Sequence, residues 1–211
     1  AEPVQTNGHV EGYRINGRKQ WISNGAVAGL YTVLANAPGG PSWFIVERGT
    51  PGFKQVSMHG KMMWRASDTA ELYFDDCRVP ESNLLGKVGE GSHIMLHTLD
   101  GGRLSIAAMG LGCAQGAFEL AMEYAGERKQ FGKPISKFQV NAFKLADMAT
   151  KIELARTLLY KTCWMRDAGE PFGKEAAMCK LYCSEIAREV ADEAVQIHGG
   201  YGLMKDYPIE R

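Results

Sequence analysis

The sequence predicts an α+β multidomain chain, a small β-barrel or sandwich followed by an antiparallel helical bundle. Three observations predict it. Residues 1–86 hold short β-branched and aromatic runs separated by Gly, Pro and Asn turns. After Gly89 the apolar spacing changes from two to between three and four. Three long stretches then keep that helical spacing, each over about 20 to 30 residues, or roughly 30–45 Å of helix. Helices of this length with short connections favour an antiparallel bundle.

Along the chain, Tyr13-Arg14-Ile15 runs into Asn16-Gly17, the commonest two-residue hairpin signal, and Lys19-Gln20-Trp21-Ile22 follows as the return strand. Asn24-Gly25 turns the chain again. Leu30-Tyr31-Thr32-Val33-Leu34, Trp43-Phe44-Ile45-Val46 and Glu71-Leu72-Tyr73-Phe74 read as further strands, separated by Pro38-Gly39-Gly40-Pro41 and Thr50-Pro51-Gly52. Pro80 to Gly86 marks the boundary, giving a β-domain over 1–86 and a helical bundle over 87–211. The core faces of three helices are Leu104, Ala107, Leu111, Ala114, Phe118 and Met122; Leu145, Met148, Ile152, Ala155 and Leu159; and Cys183, Ile186, Val190, Ala194 and Ile197.

Composition removes several function classes. Lys plus Arg is 24 and Asp plus Glu is 24, so the net charge is zero and no basic field exists to hold a nucleic-acid backbone. No unbroken 18-residue apolar run appears, so no membrane-spanning segment is expected. The first residues lack the charged and apolar regions of a signal peptide. The five cysteines are odd in number and irregular in spacing, which fits a reducing compartment.

Most candidate constellations have a plain structural reading. Gly110, Gly112 and Gly116 imitate a dinucleotide fingerprint, but they lie inside an amphipathic helix with no preceding strand, so close helix packing explains them better. His93 and His97, and likewise Cys179 and Cys183, are four apart, but neither pair has further ligands at metal-site spacing. No nucleophile elbow or P-loop is present. Trp21-Ile22-Ser23 has two readings. One is a strand end with a buried Trp; the other offers a ring face and a hydroxyl to an aromatic cofactor. Arg128 to Gln139 reads either as a turn with a capping Arg or as a ligand segment, with Arg128 paired bidentately to a pyrophosphate and Phe131 covering a ring edge. Helix termination explains one glycine of the Gly199-Gly200 pair, and the second suggests close approach of something to the backbone.

The stretches "NGRKQWISNG", "TPGF", "ASDTAELYFDDCRVPESNLLG", "ERKQFGKPISKFQ", "KLADM", "QIHGGYG" and "YPIER" follow one another in this order. Together they resemble the acyl-CoA dehydrogenase family over nearly the whole chain. The resemblance implies an incomplete copy of that fold: a middle β-domain lacking its first strands, and a C-terminal helical domain lacking its last helices. It implies FAD as cofactor, with Trp21, Ile22 and Ser23 at the flavin ring. Arg128, Lys129, Gln130 and Phe131 then reach FAD across a subunit interface, and Phe138 and Gln139 make a further FAD contact. Gln196, Ile197, His198, Gly199 and Gly200 lie near the pyrophosphate and adenosine. Asp100, Gly101, Gly102 and Arg103 fall on the substrate side of the acyl-CoA cleft.

The implied reaction is α,β-dehydrogenation of an acyl-CoA thioester to the trans-2-enoyl-CoA, as in fatty acid or amino acid catabolism. A carboxylate takes the α-proton, and the β-hydride goes to the flavin. The expected partners are the acyl-CoA substrate, an electron-transfer flavoprotein as acceptor, and further copies of the chain in a dimer or tetramer. The expected compartment is a bacterial cytoplasm or a mitochondrial matrix. Neither of the family's base positions is filled. One lies after the "YPIER" run, and at the other this chain has Gly102. The expectation is therefore a fragment with no catalytic base of its own, inactive by itself. Two alternatives stand beside it: a non-catalytic binding or assembly module on the same scaffold, and a flavin oxidase or monooxygenase of the same fold.

Overall fold

A computed structural model describes residues 1–210, and only Arg211, the last residue of the "YPIER" run, lies outside them. The chain divides into two compact units, one from Ala1 to Leu96 and the other from His97 onward.

The first unit is a sandwich of two antiparallel sheets. One carries β1 (Glu2–Thr6), β2 (His9–Ser23), β5 (Phe53–Ser57) and β6 (Thr69–Pro80) in the order β1-β2-β6-β5. The other carries β3 (Leu30–Ala37), β4 (Gly40–Glu47) and the two-residue β7 (Leu84–Leu85) in the order β3-β4-β7. The inner faces alternate as a half-buried strand must: Tyr31, Val33, Phe44 and Val46 from one sheet meet Tyr13, Ile15, Leu72 and Phe74 from the other. Rings bridge the two layers. Tyr13 lies 4.9 Å from Phe44, and Phe53, stacked 4.8 Å from Phe74 of its own sheet, is 4.7 Å edge-on from Tyr31. The expected linker at Pro80–Gly86 is partly a strand, since β7 pairs with Trp43 and Phe44, and the Asn83 amide donates to the Ile45 carbonyl at 2.9 Å.

The expected hairpin at Asn16-Gly17 does not form. The hairpin turn is Asn7-Gly8, both at positive φ (52° and 83°), joining β1 to β2 with Thr6 opposite His9. Residues 9–23 are one continuous strand, because β1 pairs with it from His9 to Arg14 and β6 pairs with it from Gly12 to Ser23, straight through Asn16-Gly17. Asn16 instead faces a bulge in β6. There, Asp75 and Asp76 oppose it between the Ile15–Cys77 and Gly17–Phe74 pairs, and the Asp76 N–H donates to Asn16 Oδ1 at 2.7 Å.

The second unit is helical. α1 (Gly91–Glu127) begins in the first unit and runs on into the second; α2 (Gln139–Asp167) and α3 (Gly173–His198) follow. The small hairpin of β8 (Lys129–Gln130) and β9 (Lys133–Pro134) interrupts the chain between α1 and α2. All five residues expected on the core face of α3 are buried, as are Met148, Ile152, Ala155 and Leu159 of α2. On α1, Leu104, Ala107, Leu111 and Ala114 are buried as expected, but Met122 is exposed, and Ala121 and Ala125 carry the core face onward. α2 and α3 run antiparallel, pinned by Lys144–Glu193 and by Lys151–Glu189 at 2.7 Å. Among the described residues, α1 alone has the length and composition of a bilayer-crossing helix, with a mean hydropathy of 1.3 over 18 residues. Its buried stripe belongs to the same core cluster as α2 and α3, as in a bundle helix.

Of the three glycines that imitate a nucleotide fingerprint, only Gly110 is a packing glycine. A Cβ there would lie 2.8 Å from the Cys183 carbonyl oxygen of α3, whereas one at Gly112 or Gly116 would meet nothing within 4 Å. Opposite signs follow for one substitution at two neighbouring sites. Gly112→Ala gains helix propensity alone, and should stabilise by about 0.5–1 kcal/mol. Gly110→Ala forces α1 from α3, and the overpacking, about 1–3 kcal/mol, outweighs that gain. Urea unfolding of both variants checks the pair, and equal shifts would contradict this packing.

Candidate functional site

Trp21 stands in the second bulge of the β2–β6 ladder. Gln20 and Trp21 together oppose Glu71, between the Lys19–Leu72 and Ile22–Ala70 pairs. The bulge gives Trp21 a φ of 57°, which costs about 1–3 kcal/mol for a residue that is not glycine. Of the two readings of this segment, the buried Trp is not the one found: Trp21 is 71% exposed. The extra residue turns its ring out of the sandwich core. Neighbouring contacts hold the bulge. The Gln20 amide donates to Glu71 at 2.5 Å and the Tyr73 hydroxyl donates to the same carboxylate. Those two hydrogen bonds, Gln20 first, hold the Glu71 carboxyl below its usual range, and the bond to Glu71 raises the Tyr73 phenol. Just beyond Ser23, Asp68 fixes the turn, accepting from Ala26 N–H with its carboxylate at 2.8 Å and from Asn24 N–H with its carbonyl at 3.0 Å. Trp21 and Ser23 open on a cavity of about 380 Å³, whose lining also includes Lys61, Met62, Met63, Trp64, Ser67 and Thr69. Ile22, between them, points instead toward the sandwich core.

In the helical unit, Arg128, Gln130, Ile197, His198, Gly199 and Gly200 surround one cavity of about 460 Å³, although more than 60 residues separate the two segments. Arg128 ends α1's last turn and lies over the Tyr201 ring at 5.6 Å. Gly199 stops α3 with φ 60°, the glycine expected from helix termination. Gly200 has open space around its Cα, so a ligand can reach its backbone. The side chain of Ile197 belongs mainly to the bundle core. His198 is buried and stacked on Tyr124 at 4.4 Å. Its Nδ1 lies 2.8 Å from the Ala194 carbonyl. A carbonyl only accepts, so Nδ1 carries the proton. Burial pushes the Tyr124 phenol up. The sequence reading missed this cluster of Tyr124, Tyr201 and Tyr207, whose rings come together only when α1, α3 and the terminal turns pack.

The remaining candidates are more scattered. Phe131 and Gly132 form the positive-φ turn of the β8–β9 hairpin, and Phe131 is 92% exposed with Phe138 at 6.2 Å edge-on. Lys133 lies 4.5 Å over the Phe138 ring. Lys129, Gln139 and Gln196 are exposed and outside the 460 Å³ cavity. Asp100 and Gly101 line a separate cavity of about 780 Å³ with His97, Arg166, Glu170 and Phe172. Arg103 forms an ion pair with Asp100 at 2.6 Å. Gly102 is exposed, with open space where a side chain would begin. Among the described residues, no group of three or more His, Cys, Asp or Glu is arranged to hold a metal.

Both units match known protein families. The model described as "Acyl-CoA dehydrogenase, middle domain" matches residues 2–77, and that described as "Acyl-CoA dehydrogenase, C-terminal domain" matches residues 89–211. The chain belongs to the acyl-CoA dehydrogenase family. It is 50% identical over 98% of its length to a protein named acryloyl-CoA reductase (NADH) from Anaerotignum propionicum, covering 53% of it. The solved butyryl-CoA dehydrogenase of Megasphaera elsdenii is 46% identical with a TM-score of 0.91, over 95% of this chain and 54% of that one. An acyl-CoA dehydrogenase of Bacillus anthracis, solved in complex with FAD, is 35% identical with a TM-score of 0.89, over 97% of this chain and 39% of that one. The chain thus spans about half the length of the curated relatives it matches.

The thiols give a test of the helical core. Cys77, Cys179 and Cys183 are buried, and burial pushes the Cys183 thiol up to about 11. A folded-state pKa raised this way gives stability that is complete below the unfolded thiol's pKa and is lost as pH rises through about 11. Cys183→Ala should therefore remove part of the stability loss between pH 9 and 11, read from urea midpoints. An unchanged alkaline slope would contradict the burial of this thiol.

Proposed function

We propose that the chain is the middle and C-terminal part of an FAD-dependent acyl-CoA dehydrogenase, which converts an acyl-CoA thioester to its trans-2-enoyl-CoA. The observation that carries this beyond family membership is the exposed, positive-φ Trp21 beside the Ser23 hydroxyl in a cavity that no part of the first unit fills. Both cavities fit parts of FAD. Trp21 supplies a ring face, and the Ser23 hydroxyl a donor for an electron-rich ring atom. In the helical unit, the Arg128 guanidinium and the open backbone at Gly200 suit a pyrophosphate, with Gln130 and Gly199 beside them. The exposed Phe131, Lys129, Gln139 and Gln196, with the half-buried Phe138, suit a second site, at a neighbouring copy of the chain in a dimer or tetramer.

FAD when bound supplies the redox step, and the chain supplies placement. We assign the 780 Å³ cavity to the acyl-CoA side; Asp100 in its lining is ion-paired to Arg103. No residue among those described is assigned as the base, since Gly102 carries no carboxylate. The electron acceptor of this reading is an electron-transfer flavoprotein, and its compartment a bacterial cytoplasm or mitochondrial matrix. The acryloyl-CoA reductase relative favours a second reading, the same chemistry run toward reduction of an enoyl-CoA.

The complete open reading frame around this chain should yield a yellow protein whose flavin is bleached anaerobically by at least one acyl-CoA from a chain-length series. For the second reading, the reduced protein should be reoxidised by an enoyl-CoA. Bound flavin that responds to neither would overturn both readings and favour a flavin oxidase or a binding module. Residues 1–211 by themselves should bind flavin weakly or not at all and show no turnover. In the complete protein, Arg128→Ala should release FAD on dialysis, because a charged contact of about 1.5–3 kcal/mol is lost. Full flavin retention would remove Arg128 from this role.

A further inference from the structure

The cavity beside Trp21 has a second side that Trp21 and Ser23 do not account for. Between β5 and β6 the chain forms a loop that carries three consecutive large apolar side chains, Met62, Met63 and Trp64, all exposed. Trp64 has a φ of 54°, so two bulky aromatic residues on one cavity, Trp21 and Trp64, are held at positive φ. The first unit leaves the apolar surface of both rings largely uncovered.

The loop is nevertheless anchored. The Lys61 ammonium donates to the Ser67 carbonyl and to the Thr69 hydroxyl at 2.7 Å, joining the loop's outgoing arm to its return. Lys61 forms no salt bridge among the described residues, so its charge is committed to the loop itself. One backbone hydrogen bond closes the same neck, Met58 N–H to the Thr69 carbonyl at 2.8 Å, and a second, Ser67 N–H to the Trp64 carbonyl at 3.1 Å, closes a turn inside the loop. A side chain half-removed from water and tied at two points restricts where residues 62–66 can go. Methionines flanking the ring supply adaptable, polarisable contacts to a flat surface. The cavity, about 380 Å³, is of the size that takes a fused planar ring.

We propose that Trp64 is a second ring-binding residue of this cavity, packing with Met62 against the same planar ring as Trp21, and that Lys61 is the positioning residue that holds it there. This rests on the reading that the cavity takes the flavin ring of FAD. The loop is then a binding element, and its exposed apolar surface is covered when the ring is in place. A protein partner docking on the same apolar loop is the competing outcome.

The test uses the complete flavoprotein and three variants, Trp64→Gly, Lys61→Met and the double variant, with Trp21→Ala as reference. Glycine takes positive φ freely, so Trp64→Gly removes the ring without straining the loop. The readouts are the FAD dissociation constant from flavin fluorescence and the shape of the bound flavin's long-wavelength absorption band. Each single variant should weaken FAD by about tenfold and blur the band's shoulders. The double variant should be no weaker than the worse single one, because Lys61 acts through Trp64. Unchanged affinity and spectrum in Trp64→Gly and Lys61→Met, with Trp21→Ala weakened, would overturn the proposal, leave the flavin reading intact and leave the loop to a protein partner. Additive losses in the double variant would overturn the positioning role of Lys61. No effect in Trp21→Ala either would remove the flavin from this cavity, and the proposal with it.

Discussion

The ladder between β2 and β6 is the constraint on which the first unit depends. β2 is paired on both edges, so its register sets β1, β6 and, through β6, β5. Two bulges break this register, one in each strand. The first lets Asp75 and Asp76 both oppose Asn16, and brings Ile15 and Phe74 to the same buried face. The second occurs five residues later and does the reverse, inserting Trp21 as the extra residue of β2. A regular ladder would have continued the alternation. The irregular one turns a large ring outward at the strand end while the sandwich core stays closed.

The helical unit is organised by close approach rather than by ring stacking. Gly110 lets α1 approach the Cys183 carbonyl of α3, and the core around it is built from Ala107, Ala114, Ala155, Ala176 and small thiols. Small side chains bring helix axes together, and a tight interior has little tolerance for added volume. Larger rings collect instead at the end of the bundle, where Tyr124, His198, Tyr201 and Tyr207 cluster around the start of the β8–β9 hairpin. Arg128 is placed by that cluster, so the geometry of the charged group rests on aromatic packing behind it.

The family resemblance was legible in short segments because their residues have chemical reasons to be there. Arg128 with Gln130, and Gly199 with Gly200, were named from sequence and do share a cavity. Lys129, Phe138, Gln139 and Gln196 were named with them and lie elsewhere, because neighbours in sequence face different ways on a hairpin or helix. Lys61 and Trp64 escaped notice altogether. Their part in the cavity depends on a loop anchored by its own side chain, and no periodicity or spacing announces such a contact.

The sequence by itself determined the division into β and helical parts, the buried faces of α2 and α3 and the family. These follow from apolar periodicity and from local motifs, which are properties of neighbouring residues. Only the tertiary structure decided that residues 9–23 form one strand rather than a hairpin, and that Trp21 faces outward. The Asn16-Gly17 signal describes a local preference, and pairing of β2 with β6 through these residues overrode it. The same holds for Gly110 against Gly112: identical residues two positions apart differ in role only because one faces the backbone of α3.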